Sequence, residues 1–414
     1  MLPEGFIDRL LSFAGNEAAR SFAEAVSVPP EVSVRLNPFK NPSAPDPIFD
    51  GAREVPWNPY GRVLSSRPVF TLQPLFHAGA YYVQDSSAMY AGYVFRKILD
   101  RVGDVSGIRV LDLCAAPGGK TTDLAASLRL RFGDDFLLVA NDPVRKRAKI
   151  LSENVALWGD PCVTVTCADP SAFSALEGFF DIIVTDVPCS GEGMFGKDPF
   201  AVEQWSEALV EECSSRQRNI LKDVWPALRE GGYLVYATCT FEPSENDLNF
   251  KWILSSLGAE LCPEGKPDFP EIQPTDCGSL LLPGFVRGSG QWVSAAVKTS
   301  PQRSRPPKKK LEEILPVLRS GIPAPTIKGK DIIPDPDLPL SLGYERGTYP
   351  EFEVDESTTL HFLHRDSVIL PEDAPIGYVV LTYSSLPLGF VKNLGRRTNN
   401  LHPMDRRILM DIKA

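Results

Sequence analysis

Two cysteines stand in polar loops that follow apolar runs. One is in Asp181-Ile-Ile-Val-Thr-Asp-Val-Pro-Cys-Ser-Gly-Glu-Gly193, the other in Tyr236-Ala-Thr-Cys-Thr-Phe-Glu-Pro-Ser-Glu-Asn246. A free cysteine is usually a small buried hydrophobe, and that reading suits most of the eight in the chain. Cys189 and Cys239 differ because each follows a strand end, where side chains from successive strands face one cleft. A thiolate there can add to an unsaturated ring. Added at carbon 6 of a cytosine, it makes carbon 5 enamine-like and able to take an electrophilic methyl group. An acid or hydrogen-bond partner at ring nitrogen 3 helps the addition, and a base must then remove the carbon-5 proton so that the thiol can leave. A free thiol has a pKa of about 8.5 and needs activation. Lys120 is the candidate cation and Asp186 the candidate acid; the residues alone leave open which cysteine attacks.

A second constellation is Val110-Leu-Asp-Leu-Cys-Ala-Ala-Pro-Gly-Gly-Lys-Thr-Thr122, which reads strand, tight loop, helix. Gly118 and Gly119 let backbone approach a ligand, and the helix start offers free N–H groups. A plain structural turn is one reading. A phosphate-binding P-loop is another, but its first glycine belongs at position 114, which is Cys114, and the dinucleotide pattern GxGxxG is absent. A nucleoside cofactor needs an acid at the end of the next strand to accept from ribose hydroxyls. Asp142 stands there, Asp169 after the third strand is placed for an adenine amino group, and Asp186 ends the fourth. Each alone could be a helix cap; together they outline a pocket that the backbone of Ala115, Ala116 and Pro117 can line.

These residues need a scaffold of strands alternating with helices. Strands are expected at 109–113, 136–141, 163–167, 181–186 and 233–238, with helices at 120–130, 144–157 and 205–228. That rhythm means a doubly wound, mostly parallel sheet. Apolar runs near Leu280–Leu282 and Gln291–Val297 read as an antiparallel hairpin closing it. Ahead of it come a helix from Pro3 to Phe13, a second short helix and a strand at Val32–Leu36. Thr299–Lys310 (TSPQRSRPPKKK) has five basic residues, no acid and three prolines, and reads as a linker. Beyond it, a β-rich module with a helical lead-in is expected over 311–414.

Composition bounds the class. The chain has 414 residues, 43% hydrophobic and 23% charged, as in an ordinary globular protein. No secretory leader and no membrane-length apolar run is evident. The cysteines form no CxxC ligand sets, so reduced thiols, no metal and a cytoplasmic location are expected. The net charge of −10 is a poor global match to a polyanion, so an RNA substrate requires local basicity.

DLCAAPGGKT, DVPCSGEGMF and YATCTFEPSEN, in this order, resemble the RNA cytosine-5 methyltransferase family, the Sun-type enzymes. Tyr81–Met89 and Val34–Pro38 match its lead-in motifs, and the likeness covers about residues 1 to 300. It implies a class I (Rossmann-like) methyltransferase fold, S-adenosyl-L-methionine as cofactor, Cys239 as nucleophile and Cys189 as the residue assisting product release. The similar DNA enzymes use the cysteine at the Cys189 position as nucleophile, which is the rival assignment. The implied cofactor contacts are Cys114, Ala115, Ala116, Pro117, Gly118, Gly119, Lys120, Asp142, Arg147, Asp169 and Asp186, with Asp186 also serving the target base. Gly196-Lys197, Leu281-Leu-Pro-Gly284 and Gly288-Ser-Gly290 depart from the family pattern.

From Pro387 to Ala414, six Lys and Arg face two Asp. This resembles the ribosomal RNA members of the family, which carry a PUA-like RNA-binding module after the catalytic domain. The division expected is an amino-terminal α+β RNA-binding extension (1–80), a methyltransferase domain (81–298), the linker (299–310) and the PUA-like module (311–414). RNA contacts are expected at Arg35, Asn37, Lys392, Arg396 and Arg397. The expected protein is a monomer acting on small-subunit ribosomal RNA. The rivals are a transfer-RNA enzyme and a non-catalytic RNA-binding assembly factor.

Overall fold

The computed structural model describes residues 2–301, 311–329 and 331–412. The linker read over 299–310 therefore lies mostly outside the described residues.

The chain starts with helix α1 (Phe6–Val26), kinked where Gly15 takes φ 85°. The span thus holds two helical segments, as expected, broken where Gly15 takes the non-helical pair φ 85°, ψ 173°, a conformation open to glycine. Phe6 meets Phe195 and Trp205 with ring centroids 5.1 and 5.5 Å away, and Phe22 meets Phe241 at 5.5 Å, so α1 is bolted to the segments that follow Cys189 and Cys239. Strands β1 (Ser33–Leu36), β2 (Arg53–Val55) and β3 (Asn58–Val63), the short helix α2 (Pro74–His77) and strand β4 (Tyr81–Val83) follow, and the strands form a sheet in the order β2-β3-β1-β4.

Helix α3 (Tyr90–Val102) leads into the central α/β unit. Its parallel strands β5 (Ile108–Asp112), β6 (Phe136–Asn141), β7 (Val163–Thr166), β8 (Phe180–Asp186) and β9 (Leu228–Thr238) alternate with helices α4 (Gly119–Phe132), α5 (Arg145–Trp158), α6 (Pro199–Gln204) and α7 (Glu207–Val224). After α8 (Asp247–Leu257), the strands β10 (Ala259–Leu261), β11 (Gln273–Pro274), β12 (Ser279–Leu281) and β13 (Gln291–Lys298) complete that edge. β12 and β13 are the expected antiparallel hairpin, and β13 lies antiparallel beside β9. The order puts β5 between β6 and β8, so chain direction across the sheet reverses there, as in a doubly wound fold. The parallel strands are near-continuous buried apolar runs (Val110, Leu111, Leu138, Val139, Ile182, Ile183, Leu234, Val235), as helices on both faces demand.

The segment after residue 310 is not one separate body. Helix α9 (Leu311–Ile314) and strand β14 (Val317–Arg319) stay with the central unit, β14 pairing antiparallel with β7 at the other edge of the sheet. The hairpin β15 (Thr326–Lys328)/β16 (Asp331–Ile333) follows. A second small sheet comes next: β17 (Glu351–Glu353), helix α10 (Glu356–His364), then β18 (Gly377–Tyr383), β19 (Leu386–Asn393) and β20 (Thr398–Asn400). This carboxyl-terminal sheet shares a core with the amino-terminal one: Val34, Leu64, Leu75 and Tyr81 pack in one cluster with Phe362, Leu363, Val379 and Leu381. Among the described residues, no helix is long and apolar enough to cross a membrane.

Candidate active site

The site forms where β5, β6, β8 and β9 end. Between β5 and α4 the chain turns through a cis Ala116–Pro117 bond and Gly118 at φ 117°, a conformation side chains resist. The loop is held from below: Ala115 N–H donates to Asn141 O (2.8 Å), and Asn154 Nδ2 donates to Pro117 O (2.8 Å). Arg147, otherwise exposed, reaches Ala116 O (3.2 Å) and the Asp142 carboxylate (3.1 Å). Asp142 is 1% exposed and also accepts from Val144 N–H (2.9 Å); burial pushes its carboxyl up from the ordinary range. Asp169 is exposed and turned to its own chain, accepting from the backbone and hydroxyl of Ser171, which lower its pKa. Cys114 is a half-buried thiol, pushed up to about 12 by desolvation.

Sequence reasoning missed Asp112. It ends β5 fully buried, with one oxygen accepting from Thr121 (2.7 Å) and Oδ1 without a hydrogen-bond partner within the protein. Burial raises its pKa to about 7. The signal was an acid directly after the apolar pair Val110-Leu111, two residues before Cys114.

Lys120 Nζ and Asp186 Oδ2 are 2.7 Å apart, and Gln291 Nε2 donates to the other Asp186 oxygen at 3.2 Å. Burial opposes the charge on Lys120, but Asp186 outweighs it and holds the ammonium up; Cys239 acts on Lys120 in the same direction. The two cysteines, fifty residues apart in sequence, meet with sulfurs 3.1 Å apart. Their loops are tied together by the hydroxyls of Ser190 and Thr240 (2.7 Å) and by Gly193 N–H to Cys239 O (2.8 Å). Either sulfur could donate. The Cys189 thiol is pushed well up, by that hydrogen bond first and by burial second, and so stays protonated.

The wall facing the amino-terminal sheet uses the departures from the family pattern. Lys197 pairs with Asp85 (2.5 Å), whose carboxylate also accepts from the Ser289 hydroxyl (2.9 Å). Gly288 lies so close to Ser87 that a Cβ would be 2.1 Å from its hydroxyl, which explains glycine there.

The RNA contacts expected at Arg35 and Asn37 are corrected by the structure. Arg35 is 0% exposed, donates to Gln84 Oε1 (2.8 Å) and Gly119 O (3.1 Å), and lies over the Trp158 ring. Asn37 is buried and donates to Gly79 O and Trp158 O, both 3.1 Å. Both are staples between the amino-terminal sheet and the helices flanking the cofactor loop, and neither can reach a phosphate. Arg396 and Arg397 are exposed in the β19–β20 turn, while Lys392 is half-buried over Tyr378.

Comparisons with known proteins agree along the chain. The family model for 16S rRNA methyltransferase RsmB/F matches residues 103–293, that for the N-terminal domain of 16S rRNA methyltransferase RsmF matches 2–86, and that for the methyltransferase RsmF PUA domain matches 349–408. Ribosomal RNA small subunit methyltransferase F of Pectobacterium atrosepticum is 31% identical over 265 residues, covering 61% of this chain and 52% of the relative. The enzyme of the same name from an Enterobacter species is 29% identical over 385 residues, covering 79% and 78%. The chain thus aligns with about half of the first relative's length. A solved methyltransferase homologue from Pyrococcus horikoshii superimposes with a TM-score of 0.56 at 27% identity, covering 70% of this chain and 93% of that one. NSun6 from the same organism, solved with SFG, gives 0.59 at 17% identity over 72% and 99%, a likeness of fold.

Proposed function

Because the chain belongs to the RsmB/F family of 16S rRNA methyltransferases, we propose that it methylates carbon 5 of a cytosine in small-subunit ribosomal RNA through a covalent Cys239–cytosine adduct. The observation that carries this reading is the 3.1 Å approach of Cys189 and Cys239 beside the Lys120–Asp186 pair.

S-adenosyl-L-methionine supplies the electrophilic methyl group. The residues fit it: the orphaned Asp112 Oδ1 is a buried acceptor suited to an amino group, the buried Asp142 carboxylate suits ribose hydroxyls, and Gly118 and Gly119 admit close approach. Cys114 to Lys120, Arg147, Asp169 and Asp186 complete the proposed contacts.

The chain's own groups account for the rest. Cys189, held as a thiol, donates its hydrogen bond to Cys239 and so favours the Cys239 thiolate, which Lys120 also favours by charge. Cys239 attacks carbon 6 of a base flipped out of its stack, with Asp186 within the same constellation to bond its ring nitrogen 3. Once carbon 5 carries the methyl group, its proton is removed, the carbon 5–carbon 6 double bond re-forms and the Cys239 thiolate leaves. Cys189, touching Cys239, assists that last step. We read residues 1–80, 81–298 and 311–414 as the RNA-binding extension, the methyltransferase domain and the PUA-like module, and the protein as a cytoplasmic monomer. The exposed Arg396 and Arg397 support RNA contact by the module.

The test is the pair of thiol deletions. Cys239→Ala should give neither methylated RNA nor adduct, whereas Cys189→Ala should attack, methylate and stall as a protein–RNA adduct that survives denaturing electrophoresis. The reverse pattern would move the nucleophile to Cys189. Full turnover in both variants would end the covalent reading.

A further inference from the structure

Cys189 and Cys239 touch before any substrate arrives, and the fold enforces the contact. β8 and β9 are parallel neighbours with Asp186 opposite Ala237, and each cysteine follows its strand end within a few residues. The two loops are pinned to each other. Val187 N–H donates to Ala237 O (3.1 Å), the hydroxyls of Ser190 and Thr240 meet at 2.7 Å, and Gly193 N–H donates to Cys239 O (2.8 Å). From behind, Gln217 Nε2 donates to Pro188 O (3.0 Å) and the buried Glu245 accepts from Ser190 N–H (3.1 Å), which fixes both flanks of Cys189. The sulfurs are thereby held 3.1 Å apart, and a disulfide bond is about 2.05 Å long, so roughly 1 Å of closure separates the thiol pair from a bridge.

Both residues are free thiols and only half-buried, so a small solute can reach them. Cys239 is the one that Lys120 favours as a thiolate, and the thiolate is the form that a peroxide oxidises. We propose that the Cys189–Cys239 pair is an oxidation site, which a peroxide closes to a disulfide that stops the reaction and a dithiol opens again. The bridge stands on the geometry of the two loops; the stop rests on the covalent mechanism above, because a bridged Cys239 has no lone thiolate to add to carbon 6.

The chemistry balances with one peroxide. The Cys239 thiolate attacks a peroxide oxygen, the oxygen–oxygen bond breaks, and hydroxide leaves behind a sulfenic acid. The Cys189 sulfur then attacks the Cys239 sulfur, the sulfur–oxygen bond breaks, and the departing hydroxide takes the Cys189 proton as water. Two electrons have passed from the sulfur pair to the peroxide. A sulfenic acid without a neighbouring thiol is open to further oxidation to the sulfinic acid, which thiols do not reverse. Cys189, already in contact, captures it first and so spares the nucleophile. Once Cys239 is bonded to a cytosine, no thiolate is left to oxidise, so the bridge forms in enzyme that is waiting for RNA.

The full chain, treated with hydrogen peroxide in the absence of RNA, is then alkylated and digested without reductant. The peptide holding Cys189 should be found joined to the peptide holding Cys239, the pair lighter by two hydrogen atoms. Adduct formation with unmodified small-subunit ribosomal RNA and S-adenosyl-L-methionine should fall at least about 10-fold and return after dithiothreitol. Cys189→Ala still presents Cys239, so its adduct formation can be followed through the same treatment. At a peroxide dose from which the wild type recovers fully, the variant should recover only in part, with two added oxygen atoms on Cys239. Oxidised Cys239 beside a free Cys189 in the wild type overturns the bridge and leaves the covalent mechanism standing. Equal recovery of variant and wild type overturns the protection that Cys189 is proposed to give. A mapped bridge with methylation at the untreated rate overturns the stop, and the covalent mechanism with it.

Discussion

Asp142 and Asp169 follow neighbouring strands yet sit in opposite conditions. Asp142 is buried, fixed by Val144 and Arg147, and ready to accept without first being ordered. Asp169 is exposed and its acceptors are engaged by Ser171. Asp142→Ala should therefore weaken S-adenosyl-L-methionine binding by about 1.5–3 kcal/mol, the range for a charge-assisted hydrogen bond. Asp169→Ala should lose less, since solvent competes for its contact. Calorimetric titration of both variants checks the order, and a larger loss for Asp169→Ala would refute it. Glu192 offers a prediction about pH. It is buried among Trp205 Nε1 (2.9 Å) and Phe241 N–H (2.8 Å), and burial first, then Glu242, raise its pKa from 4.5 to about 8. Between those values the folded protein holds a proton that the unfolded chain has released, so this group's contribution to stability falls as pH rises across the window. Glu192→Gln has no such proton. Its melting temperature relative to wild type should climb from about pH 5 to about pH 8, and parallel melting curves would mean that Glu192 is ionised in the fold.

At the scale of elements, the central sheet is legible because its strands are apolar runs of strand length, most of them followed by a helix. The two cysteine loops, the cofactor loop and Asp142 fall at strand ends, so their convergence follows from the strand order alone. What escapes the sequence are contacts made across long separations. Arg35 and Asn37 look like solvent-facing polar residues in a short strand, yet their partners lie 84 and 121 residues away. A charged residue is buried only when distant groups satisfy it, and spacing cannot reveal them. Strand β14 is only three residues long, too short for periodicity, and its place at the sheet edge is fixed by Cys167 N–H to Pro316 O (3.0 Å) and by the buried Leu315. Leu315→Ala should cost about 2–5 kcal/mol, as for other buried leucines. Hydrogen exchange should show faster opening of β7, which loses its neighbour. Protection of Val163–Thr166 equal to wild type would show that β14 does not stabilise that edge.

For the whole molecule, the shared core changes how the carboxyl-terminal module can be tested. Were the module an appendage on a linker, its removal would leave the rest intact and simply lower RNA affinity. Instead Val34, Leu64, Leu75 and Tyr81 of the amino-terminal sheet bury against Phe362, Leu363, Val379 and Leu381. A second tie is ionic and joins the module to the central sheet, since both Arg319 and Arg406 bond Asp337, linking the strand beside β7 to the turn at Met404–Arg406. A chain cut after Ser300 also loses β14 and Leu315. It should therefore melt at lower temperature and expose apolar surface that binds a hydrophobic dye, and any loss of RNA affinity would be confounded by that damage. Double substitution of Arg396 and Arg397 with alanine avoids it, because both are exposed in the β19–β20 turn and support no core contact. If they meet phosphates, the variant should keep wild-type melting and cofactor binding. Its RNA affinity should fall, and the slope of log affinity against log salt should flatten by roughly 1–2, the share of two phosphate contacts. An unchanged slope would make the turn a solvated surface and move the RNA-binding face of the module elsewhere. An unchanged melting temperature for the Ser300 truncation would show that the amino-terminal sheet holds its shape without the module, and that the seam between them contributes little.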